Sequence, residues 1–210
     1  MRLGFATFLI TAVLHGGTII SLPDAAYTSG TNLVSFTDPD ESMIGSIGDG
    51  NLTISFSSVT DLMRASTVGD DWSTWGAPPN TESSTPRVLW SGLDDNFNPI
   101  TTVTFLLSAP VAVFGFEAEP DALDVENMVA TFYMGATVEQ TISLDVNGNG
   151  GALLFAAAAN PGTYFDSVTL TSDVDFAAGQ FRYAMPEPAT YVSMLAGLAA
   201  IFGKKYRGAR

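Results

Sequence analysis

Three sets of side chains in this chain have the types and spacing to do chemistry. The first is carboxylate. Glu117, Glu119, Asp121, Asp124 and Glu126 recur at short intervals, and two acids flanking a sugar linkage can serve as the general acid and the nucleophile or base of a glycosidase. Local sequence does not fix their separation, and Pro120-Asp121 reads as a turn, so a solvated acidic loop is the simpler expectation.

The second set is oxygen ligand. Asp145, Asn147 and Asn149 followed by Gly150 match the opening of an EF-hand loop, where alternate oxygens and a glycine at the sharp turn wrap a calcium ion. The twelfth position is Ala156 rather than glutamate and the flanks read as strands, which favours a hairpin turn. Asp94, Asn96 and Asn98 repeat the spacing with Pro99 at the glycine position, and Asp38-Pro39-Asp40-Glu41 is another acidic loop. A structural calcium built from distant parts of the chain stays open, but no metal ligand can be named. The third set is aromatic. Trp72 and Trp75, with Trp90, offer flat apolar platforms for sugar rings, and Asp70, Asp71 and Asn80 offer hydrogen bonds. Against this, large aromatics more often pack over one end of a core.

Composition narrows these choices. The chain has 210 residues, no cysteine and a single histidine, His15, with a formal net charge of −14. Without cysteine there are no disulfides, thiolate metal sites or cysteine nucleophile, and one histidine leaves almost nothing for a Ser/His/Asp triad. No catalytic residue is assigned, and a non-enzymatic protein is expected. All acidic residues except Asp24 and Glu187 fall between Tyr27 and Met185, where the basic residues are Arg64, Arg87 and Arg182. A body this acidic repels nucleic-acid phosphate, so no nucleic-acid partner is expected.

The elements that must position these residues read as strands. Leu52, Ile54 and Phe56 alternate with Thr53, Ser55 and Ser57; Val103, Phe105 and Leu107 alternate with Thr102, Thr104 and Ser108, although Leu106 breaks the polar face. Ile142, Leu144 and Val146 alternate with polar residues, with Val138 extending the apolar set, and so do Val168 and Leu170. This period-two pattern marks half-buried strands. Further strands are expected over 33–36, 87–90, 111–117, 128–134, 152–157 and 180–183. Pro110 is expected to end one strand, 147–151 to make a hairpin, and 69–87 to form the longest loop and the place for a binding surface. The fold class is all-β, an antiparallel β-sandwich or jelly roll, flanked by an N-terminal signal helix and a C-terminal single transmembrane helix.

The two ends carry that last expectation. Arg2 precedes an uncharged apolar run over 3–14, the pattern of a secretory signal, assigned to residues 1–26. The body follows over 27–185. Residues 186–210 begin Pro186-Glu187-Pro188, continue through an uncharged stretch over 189–203, and end with Lys204, Lys205, Arg207 and Arg210. A helix over that stretch spans roughly 22 Å at 1.5 Å per residue; snorkelling basic stems extend its reach across a bilayer, with the basic residues on the cytoplasmic side.

This order of motif, short apolar span and basic tail resembles the PEP-CTERM sorting signal of exported proteins in Gram-negative bacteria. The stretches over 108–117, 147–155 and 165–183 are similar to the β-sandwich bodies such proteins carry. The resemblance implies transient anchoring in the inner membrane, processing near the motif by an exosortase-type membrane protease, and release to the cell surface or extracellular matrix. The expected role is structural or adhesive and associated with exopolysaccharide. The alternatives are a carbohydrate-binding module and, behind it, a glycoside hydrolase.

Overall fold

The computed structural model describes residues 17–186. The expected signal helix up to residue 16, Glu187, Pro188, the apolar stretch, and Lys204, Lys205, Arg207 and Arg210 lie outside the described residues. Among those described, no helix is long and apolar enough to cross a membrane.

Two antiparallel sheets face each other, with strands numbered along the chain. The first runs, in spatial order, β1 (Thr18–Ile20), β12 (Leu153–Ala158), β9 (Val113–Pro120), β14 (Phe176–Ala184), β7 (Arg87–Trp90), β6 (Met63–Thr67) and β3 (Met43–Ile44), with β2 (Asn32–Leu33) pairing the end of β14. The second runs β11 (Thr137–Asn147), β10 (Val125–Met134), β13 (Phe165–Thr171), β8 (Thr102–Val111), β5 (Thr53–Ser57) and β4 (Ser46–Gly48). A short helix, α1 (Ala25–Gly30), packs outside the first sheet, its backbone capped by the Asp24 carboxylate. Thr18–Ile20, inside the segment read as a leader, pair with β12.

Alternation places one apolar row of each strand between the sheets. Leu52, Ile54, Phe56, Val103, Phe105, Val168 and Leu170 are all buried. Phe105 on β8 meets Phe116 of β9 edge-on at 4.9 Å and Phe181 of β14 at 5.2 Å, so three strands from two sheets share one aromatic centre. Such pairs add to the area they bury because ring edges are electropositive and faces electronegative.

Three expectations need correction. Pro110 lies within β8 rather than ending it: on the β13 side the pairing jumps from Leu106↔Ser167 to Val111↔Phe165, so the proline falls where no ladder donor is required. The turn at 147–151 is no hairpin, because β11 pairs β10 while β12 pairs β1 and β9; it carries the chain from one sheet to the other. Val138 sits 54% exposed near the end of an edge strand.

A bulge in β14 decides what faces outward. Gln180 adopts φ +52°, and the β9 register slips between Gly179 and Arg182. The extra residue shifts the alternation by one, so Phe176, Ala178, Phe181 and Tyr183 all enter the inter-sheet core while Arg182 turns outward. Replacing Phe105 by Ala should lower unfolding free energy in urea by about 3–5 kcal/mol, the usual cost of deleting a core phenyl ring; a loss under about 1 kcal/mol would contradict its central place.

Candidate functional site: a strapped acidic face

The outer face of the first sheet carries the chemistry. Phe114, Phe116 and Ala118 of β9 point into the core, so Gly115, Glu117 and Glu119 point outward by alternation. Yet Glu117 and Glu119 are fully buried. The covering element is the 68–86 connection between the paired strands β6 and β7, which folds back across β14 and β9 as a strap. Its start is fixed by Gly69, at φ +98°, whose N–H donates to the Trp72 carbonyl at 2.8 Å.

The strap is held by indole-to-carboxylate hydrogen bonds. Trp75 Nε1 donates to Glu117 Oε2 and Trp72 Nε1 to Glu119 Oε2, each at 3.0 Å. The other oxygens are also engaged. Glu117 Oε1 accepts the Glu82 N–H at 2.6 Å, and Glu119 Oε1 accepts the Gly150 and Gly151 N–H groups at 2.9 and 3.1 Å. The turn expected to be a hairpin is therefore the cradle for Glu119. It is braced on the strap by Ala152 N–H to the Trp75 carbonyl at 2.8 Å and Thr74 Oγ1 to the Gly148 carbonyl at 3.0 Å. Gly148 is required there, since a Cβ would lie 1.8 Å from the Ala122 carbonyl oxygen.

Burial raises both glutamates. It pushes Glu117 up to about 7 against the opposing hydrogen bonds from Glu82 and Trp75, and it raises Glu119 despite its N–H donors. The third tryptophan repeats the device: Trp90 Nε1 donates to Asp175 Oδ2 at 2.8 Å. Trp72 and Trp75, the candidate sugar platforms, are 6% and 2% exposed, and together with Val68, Val88, Ala152 and Ala177 they form a second small core, the packing role that large aromatics more often take. Their faces lie on protein rather than in solvent.

The five acids of the cluster separate in space. Glu117 and Glu119 lie beneath the strap, while Asp121 and Asp124 are exposed and Glu126 is half-buried. A solvated loop was expected for all five and holds only for Asp121 and Asp124, since Glu126 is a strand residue of β10 paired with Val146. The signal for Glu117 and Glu119 was available: 111–120 has apolar or small residues at nearly every position, the mark of a strand covered on both faces. The side-chain oxygens of two of the oxygen-ligand sets are engaged by nearby protein donors. Asn147 Oδ1 accepts the Asn149 N–H and Asp145 accepts Asn127 Nδ2, each at 2.9 Å; Asp94 Oδ1 accepts the Asn96 and Asn98 N–H groups, both at 2.8 Å. Among the described residues no three Asp, Glu or His side chains gather to hold an ion.

Two clefts flank the strap. Near its end, Pro78, Pro79, Thr81 and Glu82 face Leu22, Asp24 and Thr28 across ≈ 510 Å³. There Arg182 Nε donates to Glu82 Oε1 at 2.5 Å and Nη1 to the Thr28 carbonyl at 3.1 Å, tying strap, α1 and β14 together. Near its start, a smaller cleft of ≈ 80 Å³ is lined by Arg64, Ser66, Asp71, Trp72, Trp90 and Asp121. This cleft unites Trp72, Trp90 and Asp71 of the proposed sugar set with Asp121 of the acidic set. Asp70, Trp75 and Asn80 do not line it. Arg64 and Ser66 carried no signal in the sequence; only the pairing of β6 with β7 brings them beside Trp90 and Val88.

No family model and no curated protein matches the chain. Several solved structures are similar in shape. One is the enzymatically active domain of tailspike protein 4 of bacteriophage CBA120, at 17% identity over 65% of this chain and 20% of that one, with a TM-score of 0.34. Another is the family 11 carbohydrate-binding module of a cellulosomal cellulase of Clostridium thermocellum, at 10% identity over 75% and 95%, with a TM-score of 0.31. A third comprises the CBM22 and GH10 modules of xylanase 10B of the same organism, at 11% identity over 59% and 26%, with a TM-score of 0.28. The chain thus spans about a fifth of the first and a quarter of the third, and none of the three reaches a TM-score of 0.5.

Two outcomes follow from the strap. Trp75→Ala should lower the thermal midpoint sharply and cost about 3–5 kcal/mol, since it empties a packed site and removes a donor from a buried carboxylate; an unchanged midpoint would return Trp75 to a binding role. Glu117 titrates near 7 when folded and near 4.5 in a solvated chain. Its contribution to stability is therefore complete below about pH 4.5 and is lost as pH rises through 7, a swing of about 3 kcal/mol. Urea titrations at intervals from pH 4 to 8 should show that fall, and Glu117→Gln should flatten it; equal slopes would show that Glu117 is not the group responsible.

Proposed function

We propose that this protein is an exported, non-enzymatic β-sandwich of the cell surface or extracellular matrix, sorted through a PEP-CTERM-type signal and associated with exopolysaccharide. The observation that carries the non-enzymatic part is the commitment of Glu117 and Glu119. Glycosidase acids must reach a substrate and a water, whereas all four oxygens of this pair accept N–H groups from the strap and the 147–151 turn. Their chemistry is anchoring.

The sorting part is supported by how the body ends. β14 stops at Ala184, and Met185 and Pro186 are exposed, so the first residue of the motif stands beyond the last ladder hydrogen bonds and in contact with solvent. The surface role is supported by charge. The three arginines of the body are all ion-paired, Arg64 to Glu41 at 2.7 Å, Arg87 to Asp40 at 3.0 Å and Arg182 to Glu82 at 2.5 Å, which leaves the surface field to unpaired acids. Such a body stays soluble and repels its own copies and polyanions.

Mass spectrometry of the mature C-terminus should find residues 204–210 gone, and deleting 186–210 should change where the body is found. Retention of Arg210 in the mature protein would end the sorting reading. The purified protein should turn over no substrate in a broad glycan panel, and measurable hydrolysis abolished by Glu117→Gln would replace the structural role with a hydrolase.

A further inference from the structure

The small cleft at the start of the strap holds an unsatisfied group. Ser66 on β6 is 3% exposed and lines this cleft, yet its Oγ is buried without a hydrogen-bond partner. A buried hydroxyl left unpaired is unfavourable, and native structures rarely keep one without a use. Around it stand groups whose positions are already fixed. The Arg64 guanidinium lies 4.0 Å from the centre of the Trp90 ring and donates Nη1 to Glu41 at 2.7 Å. Trp90 is held by Asp175, and Trp72 by Glu119. Asp71 and Asp121 stand exposed at the mouth.

From these positions we propose that the cleft between Arg64, Ser66, Asp71, Trp72, Trp90 and Asp121 binds one edge of a neutral hexopyranose unit through a pair of adjacent hydroxyl groups. A sugar hydroxyl both donates and accepts. The two carboxylates take the donated protons, while the Ser66 hydroxyl and the remaining Arg64 N–H groups serve the sugar oxygens. The indole edges of Trp72 and Trp90 cover the C–H surface. About 80 Å³ admits such an edge and not a whole ring, so the unit belongs to a chain lying across the sheet rather than one swallowed by a pocket.

Charge selects against other occupants. Asp121 also feels the Asp175 carboxylate, and Arg64 is the one cation lining the cleft, already paired to Glu41. A uronic acid or sulfated sugar would meet two or three carboxylates. A divalent ion would have to sit beside that guanidinium.

The inference rests on the exopolysaccharide association proposed above, and the test separates their failures. The full-length chain in detergent micelles is titrated by calorimetry and affinity electrophoresis with neutral glucan, mannan and galactan, with alginate and polygalacturonate, and with calcium chloride alone. At least one neutral polymer should bind, alginate and calcium should not, and Ser66→Ala and Asp71→Ala should each weaken binding about ten-fold, roughly one hydrogen bond. Ser66→Ala should leave the thermal midpoint unchanged or raised, since it deletes the unpaired hydroxyl. Binding of a neutral polymer unaffected by both variants overturns the cleft and keeps the association. Binding of acidic polymers or calcium alone overturns the cleft's selectivity for neutral sugar. Binding of no polymer overturns both readings.

Discussion

Two carboxylates on a central strand cannot be taken out of water without partners, and this requirement organises one whole side of the molecule. An ionised glutamate in an apolar setting is unfavourable by several kcal/mol unless its oxygens are saturated by donors. Glu117 and Glu119 on β9 are saturated by two indoles and three backbone N–H groups drawn from the strap and the 147–151 turn. Each donor lies far along the chain, 42 residues away for Trp75 and 47 for Trp72. The strap therefore has one place to lie, and the residues it crosses must be small enough to let it approach.

Those residues are small. Across the sheet, Glu117 is flanked by Gly179 and Glu119 by Ala177. A Cβ on Gly179 would lie 2.8 Å from the Arg87 carbonyl oxygen and 3.5 Å from Trp75 Cζ2. At Gly115 it would meet Ala156 Cβ at 2.3 Å and Tyr27 Oη at 2.5 Å, so the same strand that anchors the strap also makes room for α1. The ion pair of Arg182 with Glu82 completes the arrangement. It depends on the Gln180 bulge, because without that slip the guanidinium would point into the phenylalanine core.

The sealed face and the anionic surface together give the molecule its character. Its acids divide into a buried group that builds and an exposed group that sets the field. Two of its clefts lie at the ends of the strap, where the chain leaves the sheet. A cleft in such a place inherits rigid walls from tryptophans fixed for structural reasons. Rigid walls reduce the ordering that a ligand must impose. Trp72, braced by Glu119, and Trp90, braced by Asp175, thus form walls of the cleft at the start of the strap.

Much of the fold was legible in the sequence. The strands around Ile54, Phe105, Ile142 and Leu170 follow from period-two alternation, because a half-buried strand needs no distant information to declare its two faces. The absence of cysteine and the concentration of acid between Tyr27 and Met185 were equally plain. Tertiary structure alone decided the rest. Whether Pro110 ends a strand depends on how β8 meets β13, where residues 107–110 of β8 are passed over in the pairing, and whether 147–151 is a hairpin depends on which sheet receives the next strand. The small and apolar run over 111–120 marks a strand covered on both faces, but which donors would meet Glu117 and Glu119 there is not written in local sequence. Local sequence determines how a residue's neighbours alternate; only the assembled sheets determine which partner waits on each face, and for a buried carboxylate the partner is everything.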